Sequence, residues 1–393
     1  MLDGEHKKKY RIHLFCGITL LFWFSLYTYV PILTTYVTEM GADHKTAGII
    51  VGSYGFVQML LRIPTGILSD RLHKRRLFIN FGLVFSILSA FGLWISKDLT
   101  TILIFRALAG AAAATWVDFT VLYASYYPHN RSTEAIGTLS FYNSMGQMLA
   151  MLIGGYAAEK AGYVSTFGIG WVVGIIALIL SFFIVENNME NPGKISFKQI
   201  LRVAGDKTLL AVSLLAILSQ TLTFATVFGF TPLFAQEMGA TKFEMSLLTV
   251  FSSLPGAFAS IIGGKHLSAR YGEKRVVIWG FILSGVFTVV IPFCPNLGLL
   301  MLTQVFAGIG RGLSFPALMS LSIKHMETEK RATAMGFFQA IYGLGMFSGP
   351  VIMGLIGDYM SLSQGFIVLG VVGCITAFLS HLFIKGQGPV TSN

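Results

Sequence analysis

The chain alternates between long apolar runs and short polar or charged loops, with one long polar stretch at residues 186–207. Each run has about 20 residues or more, the length of helix that crosses the roughly 30 Å hydrocarbon core of a bilayer. The pattern therefore predicts an all-α membrane protein with twelve transmembrane helices. Predicted helices 1 to 12 cover about residues 12–38, 44–70, 76–96, 99–125, 132–159, 163–185, 208–236, 243–269, 275–294, 297–324, 332–358 and 362–384.

The first six helices and the last six repeat each other. The sequence EMGA follows helix 1 at residues 39–42 and helix 7 at residues 237–240. An offset of 199 residues also superposes Arg71 on Arg270, Arg75 on Lys274, Gly137 on Gly336, Gly146 on Gly345, Gly155 on Gly354, and Glu159 on Asp358. These matches indicate a duplicated six-helix unit. Two such units around a central site are the design of many secondary transporters.

The polar stretch sets the predicted domain boundaries. We predict an N-terminal six-helix bundle at residues 1–185, a cytoplasmic linker at residues 186–207 and a C-terminal six-helix bundle at residues 208–393. Within the linker, residues from Ser196 to Val203 are expected to form a short amphipathic helix.

Composition supports a membrane protein and gives no sign of an enzyme. The chain is 54% hydrophobic, 13% aromatic and 12% charged, which suits lipid as the solvent. The three cysteines all lie in apolar runs, with neither a disulfide framework nor metal-ligand spacing. Walker, H-E-x-x-H and G-x-S-x-G motifs are absent. We therefore expect no enzymatic activity, no cofactor and no metal.

The net charge of +10 reflects topology rather than nucleic-acid binding. Of the 28 Lys and Arg residues, 21 fall on the side of the predicted helices that holds both chain ends, four on the opposite side and three inside spans. Positive loops stay in the cytoplasm. We therefore predict a multi-pass protein of the cell membrane with both termini cytoplasmic, and no nucleic-acid partner.

The loop after helix 2 reads GILSDRLHKRR at residues 66–76. It resembles the signature loop of the major facilitator superfamily, G-x-L-a-D-r-x-G-r-r, except that His73 replaces the second glycine. The corresponding loop of the second half, GKHLSARYGEKR at residues 264–275, restores that glycine at Gly272 but has Ala269 in place of the aspartate. With the twelve spans, the duplicated halves and the central linker, the resemblance covers the whole chain.

The resemblance implies two pseudo-symmetric six-helix bundles that work by alternating access, and a gating role for this loop. In the family, the loop aspartate lies beside the start of a helix in the other half and holds the cytoplasmic side closed. The alternative is a basic loop that only orients the chain. The residues that match the signature and are assigned here to the gating loop are Gly66, Asp70, Arg71, Lys74 and Arg75.

Charged residues inside spans are expensive in lipid and are functional candidates. Arg106 opens RALAG, which resembles the R-x-x-x-G pattern associated with proton coupling in helix 4, and Gly110 lies on the same face. Arg311 lies in the middle of helix 10, one of the helices that the resemblance places around the cavity. Coupling or substrate binding is the functional interpretation of Arg106, and substrate contact is that of Arg311. Structural pairing is the alternative for each.

Asp118 is the acidic residue in the middle of a span. It lies at a depth similar to that of Arg62, so the two are expected either to neutralise one another or to include the proton carrier. Further substrate-cavity candidates are the aromatic residues Tyr27, Trp116, Phe228 and Phe315. Helix-packing candidates are Gly110, Gly146, Gly154, Gly155, Gly345, Gly349, Pro350 and Gly354.

Together these features predict a secondary transporter, and we expect it to be monomeric. The excess of intramembrane arginines favours a small organic anion or metabolite as substrate, moved with protons or in exchange for a counter-substrate. The alternative is multidrug efflux by proton antiport. Against it, Ala150 and Met151 interrupt the glycine–proline pattern that many antiporters of the family carry in helix 5. A receptor on the same scaffold that does not transport is a third possibility.

Overall fold

The structure is a computed structural model that describes residues 2–128, 131–186, 203, 205–327 and 330–384. All regular secondary structure in these residues is helical. We number the membrane-length elements α1 to α12. They are Tyr10–Glu39, His44–Leu72, Arg75–Ile95, Leu99–Ala124, Ser132–Ala161, Val164–Ser181, Lys207–Glu237, Lys242–Ile262, Glu273–Phe293, Leu297–Lys324, Arg331–Tyr359 and Leu362–Phe383.

The structure confirms the predicted all-α membrane fold. Eleven of these elements in the described residues are long and apolar enough to cross a membrane. The twelfth is α5, which has 30 residues and so exceeds the length needed to span a bilayer. Its polar residues, which include Asn143 and Gln147, lower its hydropathy. These two side chains bond to each other at 2.6 Å along the helix.

The first helix of each half is broken near its end. The α-helical segment that leads into α1 begins at Leu2 and ends at Tyr27. α1 then continues as a 3₁₀ turn over Val30–Ile32 and an α-helix over Leu33–Glu39. In the second half, α7 passes through a π-helical turn at Thr226–Phe230. A proline lies in or just after each irregular segment, where its missing N–H interrupts the α-helical bonding pattern. The duplication is thus visible in the backbone as well as in the sequence.

The repeated EMGA sequence ends these two helices in the same way. Gly41 and Gly239 have φ values of +97° and +88°, in the left-handed region that glycine adopts without a steric penalty. In both copies the alanine that follows donates its backbone N–H back into the last turn, from Ala42 to Val37 and from Ala240 to Ala235, at 3.0 Å. This is the Schellman arrangement, which satisfies carbonyl groups at a helix end.

Polar side chains start several of the helices by accepting from free backbone N–H groups. Asp98 caps α4 through Thr101, and those hydrogen bonds lower the pKa of Asp98. Thr241 and Glu244 cap α8 reciprocally. The helix starts thus follow local sequence, as N-cap preferences predict.

The chain divides into two compact units by its contacts. Unit 1 contains residues 1–30 and 60–194, and unit 2 contains residues 31–59 and 195–393. Residues 44–59 of α2 are therefore grouped with unit 2 and the rest of α2 with unit 1. The predicted domain boundaries stay a prediction. Residues 187–202 of the proposed linker, with most of its amphipathic helix, lie outside the described residues.

Glycines allow close packing of helices in both halves. In unit 1, a Cβ atom at Gly154 would lie 1.8 Å from the carbonyl oxygen of Thr28, so α5 meets α1 backbone to backbone. In unit 2, a Cβ at Gly345 would lie 2.0 Å from the carbonyl oxygen of Ile217, where α11 meets α7. Small residues at helix contacts are typical of membrane proteins, where close van der Waals packing drives helix association.

The other packing candidates lie at similar contacts. Gly146 approaches the carbonyl of Leu20, Gly349 that of Thr221, and Gly354 that of His44. Gly110 and Gly155 are buried in α4 and α5, and Pro350 lies inside α11.

Candidate functional site

A charged cluster lies in unit 1 where α2 ends and α3 begins. The Arg75 guanidinium donates through Nη1 to Asp118 Oδ1 at 3.1 Å and through Nη2 to Asp70 Oδ1. Nη1 also donates to the Ser69 hydroxyl at 3.2 Å. One guanidinium therefore serves two carboxylates, and it joins the end of α2 to the segment Trp116–Ala124 of α4.

The cluster has one positive and two negative formal charges. The Asp118 side chain has no exposed surface, and its Oδ2 atom has no hydrogen-bond partner in the part of the chain that the structure describes. Asp70 and Arg75 are largely buried as well. An uncompensated charge is strongly disfavoured in such surroundings, and one proton bound to either carboxylate would neutralise the cluster. The arrangement is chemically suited to take up and release a proton.

Further contacts hold the helices around this cluster. The Glu186 carboxylate, after α6, accepts a hydrogen bond from the Arg75 backbone N–H. The Tyr126 hydroxyl donates to the Val185 carbonyl oxygen at 2.7 Å. Burial raises the pKa of Tyr126 to about 12, so its hydroxyl remains a donor at neutral pH. The ends of α3, α4 and α6 are therefore fixed to one another beside the cluster.

The backbone at His73 explains the glycine of the signature loop. His73 has a φ of +54°, the one positive φ among the non-glycine residues that the structure describes. Gly272, its counterpart at an offset of 199, has a φ of +81°. The position therefore requires a left-handed backbone in both halves, which glycine adopts at no cost and histidine at some cost. The departure seen in the sequence changes the side chain and keeps the turn.

The other gating-loop candidates differ in their surroundings. Arg71 and Lys74 are exposed, whereas Arg75 is buried. A Cβ atom at Gly66 would make an ordinary contact with Val117 in α4, at 3.7 Å. The proposed contact of Asp70 with a helix of the other half stays a prediction, and the bond that the structure gives Asp70 is to Arg75.

The structure gives Asp118 a different cation from the one considered in the sequence. We considered Arg62, which lies buried in α2, as the partner at similar depth. The guanidinium at 3.1 Å from Asp118 belongs to Arg75. The sequence analysis assigned Arg75 to the gating loop, and so its place in a buried cluster with Asp118 was missed. Its position five residues after the signature aspartate, at the start of a long helix, is the signal that would have found it.

Arg106 is buried against an aromatic ring in unit 1. It is 2% exposed, its Nη1 donates to the Tyr29 hydroxyl at 3.2 Å, and its guanidinium carbon lies 5.5 Å from the centre of the Tyr29 ring. This is a cation–π contact, which stabilises a desolvated guanidinium. A tyrosine just before the break in α1 therefore helps to hold the helix 4 arginine.

Arg311 lies within unit 2, in α10. Its Nη2 donates to the Ser252 hydroxyl of α8, the one hydrogen-bond partner that its side chain has among the described residues. Ile309 and Leu313 line an apolar groove of about 480 Å³ between α8 and α10. Each is two residues from Arg311, a rotation of about 200° around the helix, so the arginine lies on the opposite side of α10 from the groove.

The glycines beside Arg311 allow α10 to pack closely against its neighbouring helices. A Cβ atom at Gly308 or Gly312 would lie 2.0 Å from the carbonyl oxygen of Ser252 or Gly256, so α10 and α8 meet through their backbones. Gly310 makes a similar approach to α9. These close contacts hold α10 and α8 at the distance that brings Arg311 to Ser252.

Two candidate aromatic residues of unit 1 belong to one cluster. The Trp23 ring centre lies 5.8 Å from that of Tyr27 and 5.3 Å from that of Trp116. Trp23 is 5% exposed, and its indole N–H has no hydrogen-bond partner in the described residues. A buried indole donor usually has an acceptor, so this cluster combines apolar surface with an unused donor.

The candidate aromatics of unit 2 pack against other rings. The ring centre of Phe228, in the π-helical turn of α7, lies 5.2 Å from the ring centre of Phe224. The ring centre of Phe315 in α10 lies 5.3 Å from that of Tyr342 in α11. Among the described residues, no group of three or more His, Cys, Asp or Glu side chains is arranged to hold a metal ion.

Duplicated helices broken at equivalent points, close glycine packing and buried charges define a multi-pass membrane protein of the secondary-transporter type. The sequence model of the Major Facilitator Superfamily matches residues 15–265 and 212–393. The chain therefore belongs to the Major Facilitator Superfamily and is a membrane transporter.

Similar proteins agree with this assignment. The chain is 25% identical to the uncharacterized MFS-type transporter MJ1560 of Methanocaldococcus jannaschii, over 90% of this chain and 93% of that protein. It is 23% identical to the multidrug resistance protein MdtG of Dickeya zeae, over 91% and 90%. It is also 22% identical to the quinolone resistance protein NorA of Staphylococcus aureus, over 87% and 88%.

Solved structures share the fold at low sequence identity. A bacterial homolog of the human lysosomal transporter Spinster superposes with a TM-score of 0.78 at 17% identity, covering 95% of this chain and 96% of that one. A mutant form of the nucleoside transporter NupG superposes with a TM-score of 0.76 at 14% identity, covering 95% and 100%.

Proposed function

We propose that this protein is a secondary active transporter of small organic anions that works by alternating access. We propose further that movement of the anion is coupled to protons or to exchange with a counter-substrate. The observation that carries the choice of substrate is the environment of Arg311, where a guanidinium at membrane depth has a neutral hydroxyl as its partner.

The charge of Arg311 is not balanced by its own surroundings. Among the residues that the structure describes, its side chain bonds to Ser252 and forms no ion pair within 4.0 Å. A charge inside a membrane span is tolerated when it pairs or faces water. The planar fork of arginine fits a carboxylate, and an arriving anion would supply the missing charge. Arg311 lies on the side of α10 opposite the apolar groove and is partly exposed, as a contact with a polar substrate requires.

The proton is the coupling ion that the other charged cluster supports. Asp70, Asp118 and Arg75 leave one negative charge in excess, and Asp118 has a carboxylate oxygen with no hydrogen bond in the described residues. Protonation would cancel that charge and weaken the hold of Arg75 on one of its two partners. Proton binding would thereby change the contact of α3 with either α2 or α4, which is how a coupling site acts on a conformational equilibrium.

Multidrug export by proton antiport is the second candidate. The aromatic cluster of Trp23, Tyr27 and Trp116 supports it, because closely packed rings beside the unbonded indole N–H of Trp23 fit a planar amphipathic molecule. The names of MdtG and NorA, which refer to multidrug and quinolone resistance, point in the same direction. A substrate of this kind would need no contact with Arg311.

Substitution of Arg311 distinguishes the two candidates. Loss of the charged partner of a bound anion typically costs about 2–5 kcal/mol, so Arg311→Gln should weaken binding of aromatic carboxylates at least tenfold. Arg311→Lys keeps the charge without the fork and should fall in between. Ser252→Ala is the matched control, since it removes the hydrogen-bond partner and leaves the cation. Calorimetry of the purified protein with a panel of aromatic carboxylates and with tetraphenylphosphonium gives the affinities.

The two functions give opposite results in this experiment. If the substrate is an anion, carboxylates lose affinity in Arg311→Gln and retain it in Ser252→Ala. If the protein exports cationic drugs, tetraphenylphosphonium binds wild type and binds Arg311→Gln as well or better, because a repulsion is removed. Unchanged carboxylate affinity in Arg311→Gln overturns the organic-anion proposal.

The charge distribution supports an orientation for this transporter. We propose that both termini and the charged cluster lie on the cytoplasmic side of the cell membrane, because 21 of 28 basic residues belong to that side in the predicted topology. The outer side is then the side on which α1 ends and α2 begins.

A further inference from the structure

The start of α2 is bonded to the end of α11 in unit 2. Asp358 accepts hydrogen bonds from two backbone N–H groups of the first turn of α2, His44 at 2.9 Å to Oδ1 and Lys45 at 2.8 Å to Oδ2. The His44 ring nitrogen Nδ1 also lies 2.9 Å from Asp358 Oδ1. One carboxylate thus makes three contacts with a helix start that lies 314 residues earlier in the chain.

The helix does not need Asp358 in order to begin. Asp43, immediately before α2, accepts from the Thr46 backbone N–H at 2.8 Å and is an ordinary N-cap. The hydrogen bonds from Thr46 lower the pKa of Asp43, which keeps this cap charged. The remote carboxylate therefore adds a bond between two helices to a turn that already has a local cap.

The backbones of α2 and α11 touch along this contact. A Cβ atom at Gly354 would lie 2.2 Å from the His44 carbonyl oxygen, and one at Gly48 would lie 2.2 Å from the Pro350 carbonyl oxygen. One turn further along, a Cβ at Gly52 would lie 2.7 Å from the carbonyl oxygen of Phe347. The helices have no space for a side chain at these points, so the bond at Asp358 closes an interface that is already tight.

Other residues just before α2 are also held within unit 2. The Gln236 amide donates to the Glu39 carboxylate at 2.9 Å, and the Thr35 hydroxyl lies 3.5 Å from the Met245 sulfur. By contrast, residues 60–72 of α2 are grouped with unit 1. Pro64 lies inside the continuous helix just beyond that division. The outer half of α2 therefore packs with one unit and its inner half with the other.

We propose that Asp358 is a positioning residue of the transport cycle and acts as a latch on the outer side. It holds the outer half of α2 against α11 while that side is closed, and its three contacts break when that side opens. The inference rests on the alternating-access mechanism proposed above. The three contacts of Asp358 with the first turn of α2 support this role.

Two matched variants test the latch. Asp358→Ala removes two hydrogen bonds from the first turn of α2 and the tie to α11, whereas Asp43→Ala removes the local cap and leaves that tie in place. Hydrogen exchange of the full-length protein in nanodiscs measures protection of the turn in both. Accessibility is measured at Ser53→Cys, a buried position of α2, with Cys16, Cys294 and Cys374 replaced. The probe is a membrane-impermeant maleimide added from the outer side.

We expect Asp358→Ala to speed labelling at position 53 by about three- to tenfold, the range expected for loss of a helix-capping carboxylate. Asp43→Ala should increase exchange at the start of α2 and leave labelling within about twofold of wild type, because the helices stay tied. Equal labelling in the two variants, or no increase in Asp358→Ala, overturns the latch.

A second pair of variants keeps the test valid if Asp358→Ala does not fold. Gly354→Ala would place a methyl group against the His44 carbonyl, so it should open the same contact with Asp358 intact. Gly336→Ala is its control, since a Cβ there meets nothing within 4 Å on the same helix. Faster labelling in Gly354→Ala alone supports the latch, and equal labelling in both contradicts it.

Labelling needs no substrate, so the latch and the proposed function can fail separately. Faster labelling in a protein that shows no transport would support the latch and refute the proposed function. Transport by wild type, together with unchanged labelling in Asp358→Ala, would support the proposed function and refute the latch.

Discussion

Arg75 shows how a single side chain can act for two helices. It bonds to Asp70, five residues before it, and to Asp118, 43 residues after it. Removing the cation would leave two carboxylates close together without compensation. Removing the buried acid would leave one balanced pair. Substitution of Arg75 is therefore expected to destabilise the protein far more than substitution of Asp118.

We expect Asp118→Asn to fold and to lose proton-driven accumulation, because the net charge of the cluster becomes zero and no proton is taken up. Exchange of substrate at equal pH should remain. Uptake into proteoliposomes, with and without a pH gradient, measures both activities. Gradient-driven accumulation by Asp118→Asn would remove this residue from the coupling mechanism.

Substitution of the cation provides the matched comparison. Arg75→Gln should lower the free energy of unfolding by about 3–5 kcal/mol, as expected when one partner of a buried ion pair is removed. Adding Asp118→Asn to Arg75→Gln should recover part of that loss, because fewer unpaired charges remain. Thermal unfolding in detergent compares the single and double variants. No recovery in the double variant would argue against the ion pair.

Sequence identified the charged residues of this cluster and could not group them. Hydropathy and spacing give the depth of a residue along its helix, which is why Asp118 and Arg62 were considered together. They do not give the direction in which each side chain points around the helix. Arg75 reaches Asp118 because α3 begins beside the second part of α4, a fact of tertiary packing.

At the scale of helices, the close glycine contacts give the two halves their shape. α5 meets α1 through Gly154, and α11 meets α7 through Gly345, with no room for a methyl group at either position. Overpacking a tight contact typically costs about 1–3 kcal/mol. Gly154 and Gly345 are therefore expected to tolerate substitution far less than glycines on the open faces of the same helices.

Two substitutions in α5 measure this difference. Gly154→Ala should reduce the free energy of unfolding by about 1–3 kcal/mol, since the new Cβ would lie 1.8 Å from the Thr28 carbonyl oxygen. Gly137→Ala, which meets nothing within 4 Å, should be neutral or stabilising by up to about 1 kcal/mol. Thermal unfolding of both variants tests the contact, and equal losses would contradict it.

The helices themselves could be predicted from sequence because lipid requires long apolar runs and sharp polar breaks. The glycine contacts could be predicted in part, since the repeat at an offset of 199 pairs Gly146 with Gly345. The irregular turns in α1 and α7 were not predicted, although a proline lies in or beside each of them. A π-helical turn depends on the packing of the neighbouring helices as well as on local sequence, and so the segment at residues 226–230 was not anticipated.

At the scale of the molecule, the duplicated halves differ in their chemistry. The first half carries the cluster of Asp70, Arg75 and Asp118, whereas the second half has Ala269 at the position equivalent to Asp70. The second half carries Arg311 with its serine partner. The proposed proton site and the proposed anion contact therefore lie in different units, so that the fold is duplicated but the functions are not.

Counterflow in proteoliposomes tests the central claim, that this protein is a secondary transporter. The vesicles are loaded with the aromatic carboxylate that most raises the unfolding temperature of the purified protein, and a trace of the labelled compound is added outside. We expect the label to accumulate transiently above its equilibrium level without ATP, because exchange by alternating access needs no other energy source. Binding of the carboxylate with no counterflow would contradict the account and indicate a receptor on a transporter fold.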